Sequence, residues 1–120
     1  MRRVLFLAAL MCLTPVAVKA QDAVKADPKH FKVELENAQV RVLRFTLEPH
    51  ETSLGHEHLT PHVEVQLTDS KEKEIFADGK ENVSQNKAGH VEWEGIVGKH
   101  TNENIGDTPI GTIIIELKGK

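Results

Sequence analysis

Cysteine is nearly absent from this chain of 120 residues, in which Cys12 is the only one. Cys12 lies in an apolar N-terminal segment, so the rest of the chain can form no disulfide if that segment is removed after export. A secreted domain of about 100 residues then has to be stabilised by its hydrophobic core. That length is sufficient for one domain and too short for two.

Two common catalytic patterns and an excess of positive charge are also missing. The chain has no glycine-rich loop of the kind that holds phosphate groups, and no serine or cysteine nucleophile motif. Its 15 lysines and arginines stand against 18 aspartates and glutamates. The formal net charge of −3 becomes −6 if the three basic residues Arg2, Arg3 and Lys19 leave with the N-terminal segment. Such an acidic domain is expected to repel nucleic acid.

Residues 1–20 have the pattern of a secretory signal peptide. Arg2 and Arg3 precede an apolar run at residues 4–18, and Val18-Lys19-Ala20 resembles a cleavage site. An uncleaved anchor is the alternative, but the run is shorter than the roughly 20 apolar residues of a secure membrane span and contains a proline. The sequence therefore predicts a periplasmic or secreted protein that begins at Gln21 and has no membrane attachment after cleavage.

Apolar residues at helical spacing are absent from the rest of the chain, and alternation with period two takes their place. The alternating segments are residues 31–35, 37–48, 62–68, 73–76, 81–84, 89–94 and 111–117. An Asp-Gly pair at residues 78–79 predicts a β-hairpin between two of them. In the second segment the apolar face changes sides between Val42 and Leu43, which indicates a bulge or a strand buried on both faces. Short strands separated by turns predict an all-β sandwich or barrel.

Composition sets the remaining boundaries. Residues 21–29 are polar and include a proline, so we expect a loose N-terminal lead, which with the first strand occupies residues 21–36. Residues 37–118 form the predicted domain. The charged run at residues 69–74, DSKEKE, is expected to be a solvated turn.

Histidine is the most informative residue type in the chain. The stretch at residues 55–65, GHEHLTPHVEV, contains three histidines and two glutamates. His56 and His58 would lie on one face of a strand, where both imidazoles can reach one metal ion. His62 and Glu64 share that parity beyond Pro61, which is expected to bend the chain. A metal site and a solvated polar edge both fit this stretch alone.

A second segment makes the metal site the better interpretation. Gly89, His100 and Asn104 match the second motif of the cupin superfamily at its usual spacing, and His56 and His58 match the histidine pair of the first motif. Over residues 37–117 the chain therefore resembles a small single-domain cupin. The resemblance implies a double-stranded β-helix (jelly-roll) barrel that encloses a divalent ion of iron, manganese, nickel, copper or zinc. It also implies that the matching histidines are metal ligands.

The sequence departs from the first motif at the position of its glutamate. His62 stands there at the three-residue spacing, whereas Glu64 comes one residue after the four-residue spacing. The resemblance therefore favours His62 as a fourth ligand, and three histidines with Glu64 is the alternative. Other departures concern glycine and proline. His50 and Asp69 stand where the first motif has glycine, and Gly95 and Val97 stand where the second motif has a proline and a glycine.

Two functions agree with these residues. The first is an exported metal-dependent enzyme of dioxygenase or isomerase type, in which Glu64 acts as the acid or base. The second is a metal- or small-ligand-binding protein without turnover. Both functions suit a small-molecule partner and are compatible with a homodimer. Because protonated imidazole cannot ligate, metal binding is expected to weaken as the pH falls through about 6.5.

The other polar and aromatic residues receive structural interpretations. Trp93 is expected in the core. Glu92 and Glu94 could line the pocket, but an outer sheet face is the favoured interpretation. Gln66 shares the parity of His62 and is expected to line the pocket. Three further histidines, His30, His50 and His90, are given no place at the metal site.

Overall fold

The computed structural model describes residues 21–119, so the predicted signal peptide at residues 1–20 lies outside the described part of the chain. The described residues form one short helix and nine strands. Their bounds are α1 Ala23–Ala26, β1 Phe31–Glu36, β2 Val40–Leu47, β3 His56–His58, β4 His62–Gln66, β5 Ser70–Phe76, β6 Glu81–Asn86, β7 Val91–Glu94, β8 Val97–Asn104 and β9 Ile110–Leu117. No helix in residues 21–119 is both long enough and apolar enough to cross a membrane.

The strands form two antiparallel sheets. One sheet has five strands in the order β1-β2-β9-β4-β7, and the other has four in the order β3-β8-β5-β6. The predicted all-β architecture is confirmed. The predicted Asp-Gly hairpin joins β5 to β6, and Gly79 adopts a φ of +86° there, which a residue with a Cβ rarely does.

A small apolar core lies between α1 and the sheet of β1, β2 and β9. Its fully buried members are Ala23, Phe31, Leu43, Phe45, Leu47, Ile110 and Ile114. Burying each of the larger side chains contributes about 1.5–3 kcal/mol to the free energy of unfolding. The Phe31 ring stacks on Phe45 at 4.6 Å between centroids and contacts the His56 ring at the same 4.6 Å. The core therefore supports the first histidine of the β3 pair directly.

A bulge lies beside Val42 and Leu43, where the apolar face of β2 changes sides, but it belongs to the neighbouring strand β1 and not to β2. Val33 pairs with Leu43 and Leu35 pairs with Val42, so β1 has one extra residue at this point. Leu43 faces the core, whereas Val42 is only partly buried on the other side of the sheet.

The strands β4 and β7 place their polar residues inside and their apolar residues outside. His62 and Gln66 are buried, while Val91 and Trp93 are 58% and 61% exposed. The expectation that Trp93 belongs to the core is therefore wrong. The expectation that Glu92 and Glu94 lie on an outer face is also wrong, because both line an internal cavity. Strand alternation explains both corrections: once His62 points inward, its cross-strand partner Glu94 must point inward too.

The segment predicted to be a loose N-terminal lead is packed against the fold. Ala23 and Asp27 are fully buried. Asp27 Oδ2 accepts hydrogen bonds from His30 Nδ1 at 2.6 Å and from the Leu54 backbone N–H at 2.9 Å, and His30 Nε2 contacts Glu51. His30 thus connects this segment to the loop before β3, a structural role that its position in a polar lead did not suggest.

The charged run at residues 69–74 is not a solvated turn. From Ser70 onward it belongs to β5, which pairs with β6 on one side and with β8 on the other. Ser70, Glu72 and Glu74 face the cavity, whereas Lys71 is exposed and Lys73 pairs with Glu103 at 3.2 Å. Along β5 the glutamates occupy the inner face and the lysines the outer face, an alternation that apolar and polar residues usually show.

Candidate metal site and acidic cavity

Four histidines meet inside the barrel, from strands that belong to both sheets. His56 and His58 come from β3, His62 from β4 and His100 from β8, and each is at most 4% exposed. His56 and His100 are direct cross-strand partners. The His58 ring lies 4.6 Å from that of His62, 5.2 Å from that of His56 and 5.4 Å from that of His100.

These side chains form two overlapping groups. Potential ligand atoms of His56, His58 and His100 lie within 4.8 Å of one another, and so do those of His58, His62 and Glu64. His58 belongs to both groups and is therefore the centre of the cluster. The arrangement brings together all four histidines predicted as ligands and also Glu64, the predicted alternative.

Three of the four imidazoles are oriented by the same local hydrogen bond. Nδ1 of His56, His62 and His100 lies 2.9, 3.0 and 2.7 Å from the carbonyl oxygen two residues earlier, in Leu54, Thr60 and Gly98 respectively. A carbonyl oxygen can only accept, so Nδ1 carries the proton in each ring. In a neutral ring Nε2 is then left with a free lone pair, the state in which imidazole binds a metal.

Three inner nitrogens of this cluster make no hydrogen bond in the described structure. They are Nε2 of His56, Nδ1 of His58 and Nε2 of His62, and of these only His62 Nε2 has carboxylate oxygens nearby, at 3.4 and 3.5 Å. A buried polar atom without a partner costs about 1–3 kcal/mol, so three of them close together require an explanation. A divalent transition metal would use these lone pairs directly, and the donor set therefore fits such an ion.

The electrostatics of three rings suit neutral ligands. Burial lowers the pKa of His56 to about 4 and that of His58 to about 2, and it also lowers the pKa of His100. Neighbouring imidazoles add to the effect for each ring, because adjacent positive charges repel. His56 and His58 therefore remain neutral, and able to bind a cation, well below pH 6.5, the limit expected for ordinary histidines.

His62 differs because it has carboxylates on its inner side. Its Nε2 lies 3.5 Å from Glu64 Oε1 and 3.4 Å from Glu94 Oε2. Burial alone would lower the pKa of His62, but these two carboxylates raise it to about 10. Burial in turn raises the pKa of Glu64. At neutral pH and without a metal, His62 is therefore expected to carry a second proton between the carboxyl groups of Glu64 and Glu94.

A cavity of about 80 Å³ adjoins the histidine cluster and is lined by His58 and His100. Gln66 lies in its wall, as predicted, and bonds there to the Thr112 hydroxyl at 3.1 Å. The wall is otherwise marked by five glutamates: Glu64, Glu72, Glu74, Glu92 and Glu94. Since one water needs about 10–15 Å³ of such space, the cavity has room for about five to eight non-hydrogen atoms.

The remaining motif residues have structural roles. Asn104 is fully buried and donates through Nδ2 to the carbonyl oxygens of Leu47 at 3.2 Å and Thr108 at 2.8 Å. Gly89 adopts a φ of +87° in the turn before β7, which glycine tolerates best. The side chain of His50 is 69% exposed and that of His90 is 43% exposed, so neither belongs to the site.

Sequence reasoning missed Glu72 and Glu74 as residues of the cavity and favoured an outer face for Glu92 and Glu94. The signal was present in the strict alternation of Lys71 to Glu74 and of Val91 to Glu94. The inward face of β7 was misassigned because apolar residues were expected to point inside, whereas β5 was missed because its charged run is typical of a solvated turn.

No protein-family model and no curated protein matches the chain. Solved structures do resemble it. A cupin domain from Bordetella pertussis Tohama I superposes with a TM-score of 0.69 at 23% identity, over 84% of this chain and 98% of that one. An RmlC-like cupin family protein with a double-stranded β-helix fold, from Methanocaldococcus jannaschii, has a TM-score of 0.58 at 11% identity, over 72% of this chain and 77% of that one.

A larger protein contains a comparable region. Bacillus subtilis oxalate decarboxylase, a protein with Mn(II) centres, matches 80% of this chain with a TM-score of 0.55 at 21% identity. The match spans only 27% of that protein. Together these likenesses confirm the predicted double-stranded β-helix, a fold that this chain shares with these cupin proteins.

Proposed function

We propose that this protein binds one divalent transition metal ion through His56, His58, His62 and His100. The observation that carries the proposal is the convergence of four buried imidazoles: His56, His58 and His62 have an inner nitrogen without a hydrogen bond, and local hydrogen bonds orient His56, His62 and His100. The ion would supply a positive charge and a Lewis acid at the edge of the cavity. Imidazole donors suit zinc, copper, iron and nickel, and the Mn(II) centres of the oxalate decarboxylase add manganese to the metals to be tested.

The test is titration of the metal-free mature chain with each of these ions, followed by elemental analysis. One tightly bound equivalent of at least one ion is expected. Binding of no ion at one equivalent would contradict the proposal.

The participation of His62 can be tested by counting protons. At pH 7 the other three rings are neutral, whereas His62 carries a proton that the ion must displace. Binding is therefore expected to release about one more proton in the wild type than in His62→Ala. Calorimetry in two buffers of different ionisation enthalpy measures this difference. Equal release by the two proteins, with equal affinity, would remove His62 from the ligand set and favour Glu64.

A metal-dependent enzyme is the second candidate, and the position of Glu64 favours it. The side chain is 18% exposed, lines the cavity and lies beside His62. Burial raises the pKa of Glu64 above its ordinary value, which makes its carboxylate a stronger base. Glu64→Gln should then keep the metal and reduce any turnover, whereas a pure binding protein shows no turnover in either form.

Export is proposed from residues 1–20 alone. The basic start, the apolar run and the small residues before Gln21 predict cleavage between Ala20 and Gln21. The intact mass of the protein recovered from the periplasm or medium should correspond to residues 21–120. A mass that includes residues 1–20, or recovery only from the cytoplasm, would contradict the proposal.

A further inference from the structure

The outer face of the five-stranded sheet carries a row of apolar side chains that crosses all five strands. Direct cross-strand partners lie on the same face of a sheet, so the strand pairing gives the row directly. It runs from β7 through β4, β9 and β2 to β1, and its members are Trp93, Val63, Ile115, Val42 and Leu35. The first and last of these are 61% and 54% exposed. The sheet is therefore apolar on the side that is usually polar in an antiparallel sheet with one solvated face.

The two neighbouring rows extend this apolar face. They cover β7, β4, β9 and β2, and their apolar members are Val91, Val65, Ile113, Leu117 and Val40. Charge appears at the border, where Arg44 of β2 continues one row and pairs with Glu34 of β1. An apolar centre with a charged border is the usual composition of a protein–protein interface.

The size of the face agrees with a small dimer interface. Strands lie about 4.8 Å apart and rise about 3.3 Å per residue, so five strands over about six residues span roughly 24 by 20 Å. Two copies packed face to face would bury about 1,000 Å² in total, which is about the minimum for a specific interface. A monomer rarely exposes a contiguous apolar patch of more than a few hundred Å².

A second copy of the chain is the occupant that fits this face best. Sheets pack on one another face to face, and in a two-fold dimer both partners use the same patch. The domain is acidic, yet the three rows contain no aspartate or glutamate of the described residues, so like charges do not meet inside the pair. An anionic lipid surface would favour a basic border. The rows contain two basic residues, Lys32 and Arg44, and the second is already paired with Glu34.

We propose that two copies of the chain associate through this outer sheet face in a two-fold homodimer that buries Val91 and Trp93. The interface is separate from the proposed metal site, because the four histidines and the cavity lie inside the barrel, on the other side of this sheet. Dimer formation is therefore expected to be the same with and without metal.

Analytical ultracentrifugation of the mature chain, metal-free and zinc-loaded, tests the proposal. A dimer is expected at about 100 µM protein and should dissociate on dilution to about 1 µM, since an interface of this size is at the lower end of the specific range. Trp93 is the only tryptophan in the chain, so its fluorescence reports on the interface directly. Its emission should shift to shorter wavelengths over the same concentration range, because the indole leaves water in the dimer.

Val91→Lys is expected to weaken the dimer by at least about tenfold, because each copy would bury an ammonium group without a partner. Val83→Lys is the matched control. Val83 is 57% exposed and Val91 is 58% exposed, but Val83 lies on β6 in the other sheet. Both substitutions add the same charge, so only the position differs, and Val83→Lys should dimerise like the wild type. Trp93→Lys is a second variant of the proposed face, and urea unfolding shows that each variant is folded.

A mature chain that stays monomeric at about 100 µM, with unshifted Trp93 emission, would overturn the proposal. Dimers of equal affinity in Val91→Lys, Trp93→Lys and Val83→Lys would also overturn it, because the interface would then lie elsewhere. A monomer that sediments with phosphatidylglycerol vesicles, and loses this binding in Val91→Lys, would assign the face to a lipid surface instead.

Discussion

In a His58→Ala variant, metal affinity is expected to fall by more than about 100-fold, the upper range for losing a residue that merely supports a ligand. His58 belongs to both groups of potential ligands, and its ring lies within 5.4 Å of the other three imidazoles. Its removal therefore breaks both groups. His56→Ala and His100→Ala each leave the second group intact, so their losses should be smaller, although still about tenfold or more.

His90→Ala is the control for a histidine near the cavity that does not belong to the site, since its side chain is 43% exposed. Metal affinity is measured by competition with a chelator, and urea unfolding of the metal-free variants shows that each is folded. His58→Gln provides a second variant if the alanine form unfolds. Retention of wild-type affinity by folded His58→Ala or His58→Gln would contradict the proposed site.

Glu72 is expected to make the metal-free protein less stable as the pH rises from about 4.5 to 7. Burial, opposed by the hydrogen bond from Asn102 and reinforced by neighbouring carboxylates, raises the pKa of Glu72 from 4.5 to about 7. The folded state then holds this proton more tightly than the unfolded state. Its stabilising contribution is complete below about pH 4.5 and is lost as the pH rises through 7.

Glu72→Gln should remove this dependence. The glutamine oxygen can still accept from Asn102 Nδ2, but it has no charge to bury. At pH 8 the variant should be more stable than the wild type by up to about 3 kcal/mol, and near pH 4.5 the two should differ little. His56 and His58 have lowered pKa values and so destabilise the fold as the pH falls below 6.5, but they do so in both proteins.

Urea unfolding at several pH values measures the difference between the two proteins. Glu81→Gln is the control, since Glu81 is an exposed residue of β6 that does not line the cavity. A variant that is no more stable than the wild type at pH 8 would mean that the Glu72 carboxylate finds a compensating charge in solution.

Much of the fold was predictable because strand alternation is a strong signal in this chain. The strands after residue 30 that were predicted from alternation lie within a few residues of those observed, and Gly79 forms the expected hairpin turn. The cluster of His56, His58, His62 and His100 was predictable from motif spacing, since the motifs state which residues must converge. Parity alone indicated that Glu64 and Gln66 share the inner face of β4.

The inner surface beyond the histidines was not predictable by the same means. Alternation defines two faces of a strand but does not say which is inside. The usual rule places apolar residues inside, and here it fails for Trp93, because the barrel interior is a polar cavity. Glu72 and Glu74 were missed because lysine and glutamate alternate in β5, so hydrophobicity gave no contrast. His30 was missed because its partners, Asp27 and Glu51, lie on separate parts of the chain.

Nδ1 of His56, His62 and His100 donates a hydrogen bond to the carbonyl oxygen two residues earlier, so each ring is oriented from within its own segment of three residues. The direction of each Nε2 is therefore set without contacts from the opposite wall. The residues of the cavity can therefore change over evolution while the orientation of these imidazoles stays the same. A chain built in this way can acquire a new ligand by exchanging side chains such as Glu72 and Glu92, and the design of altered specificity can begin at those two positions.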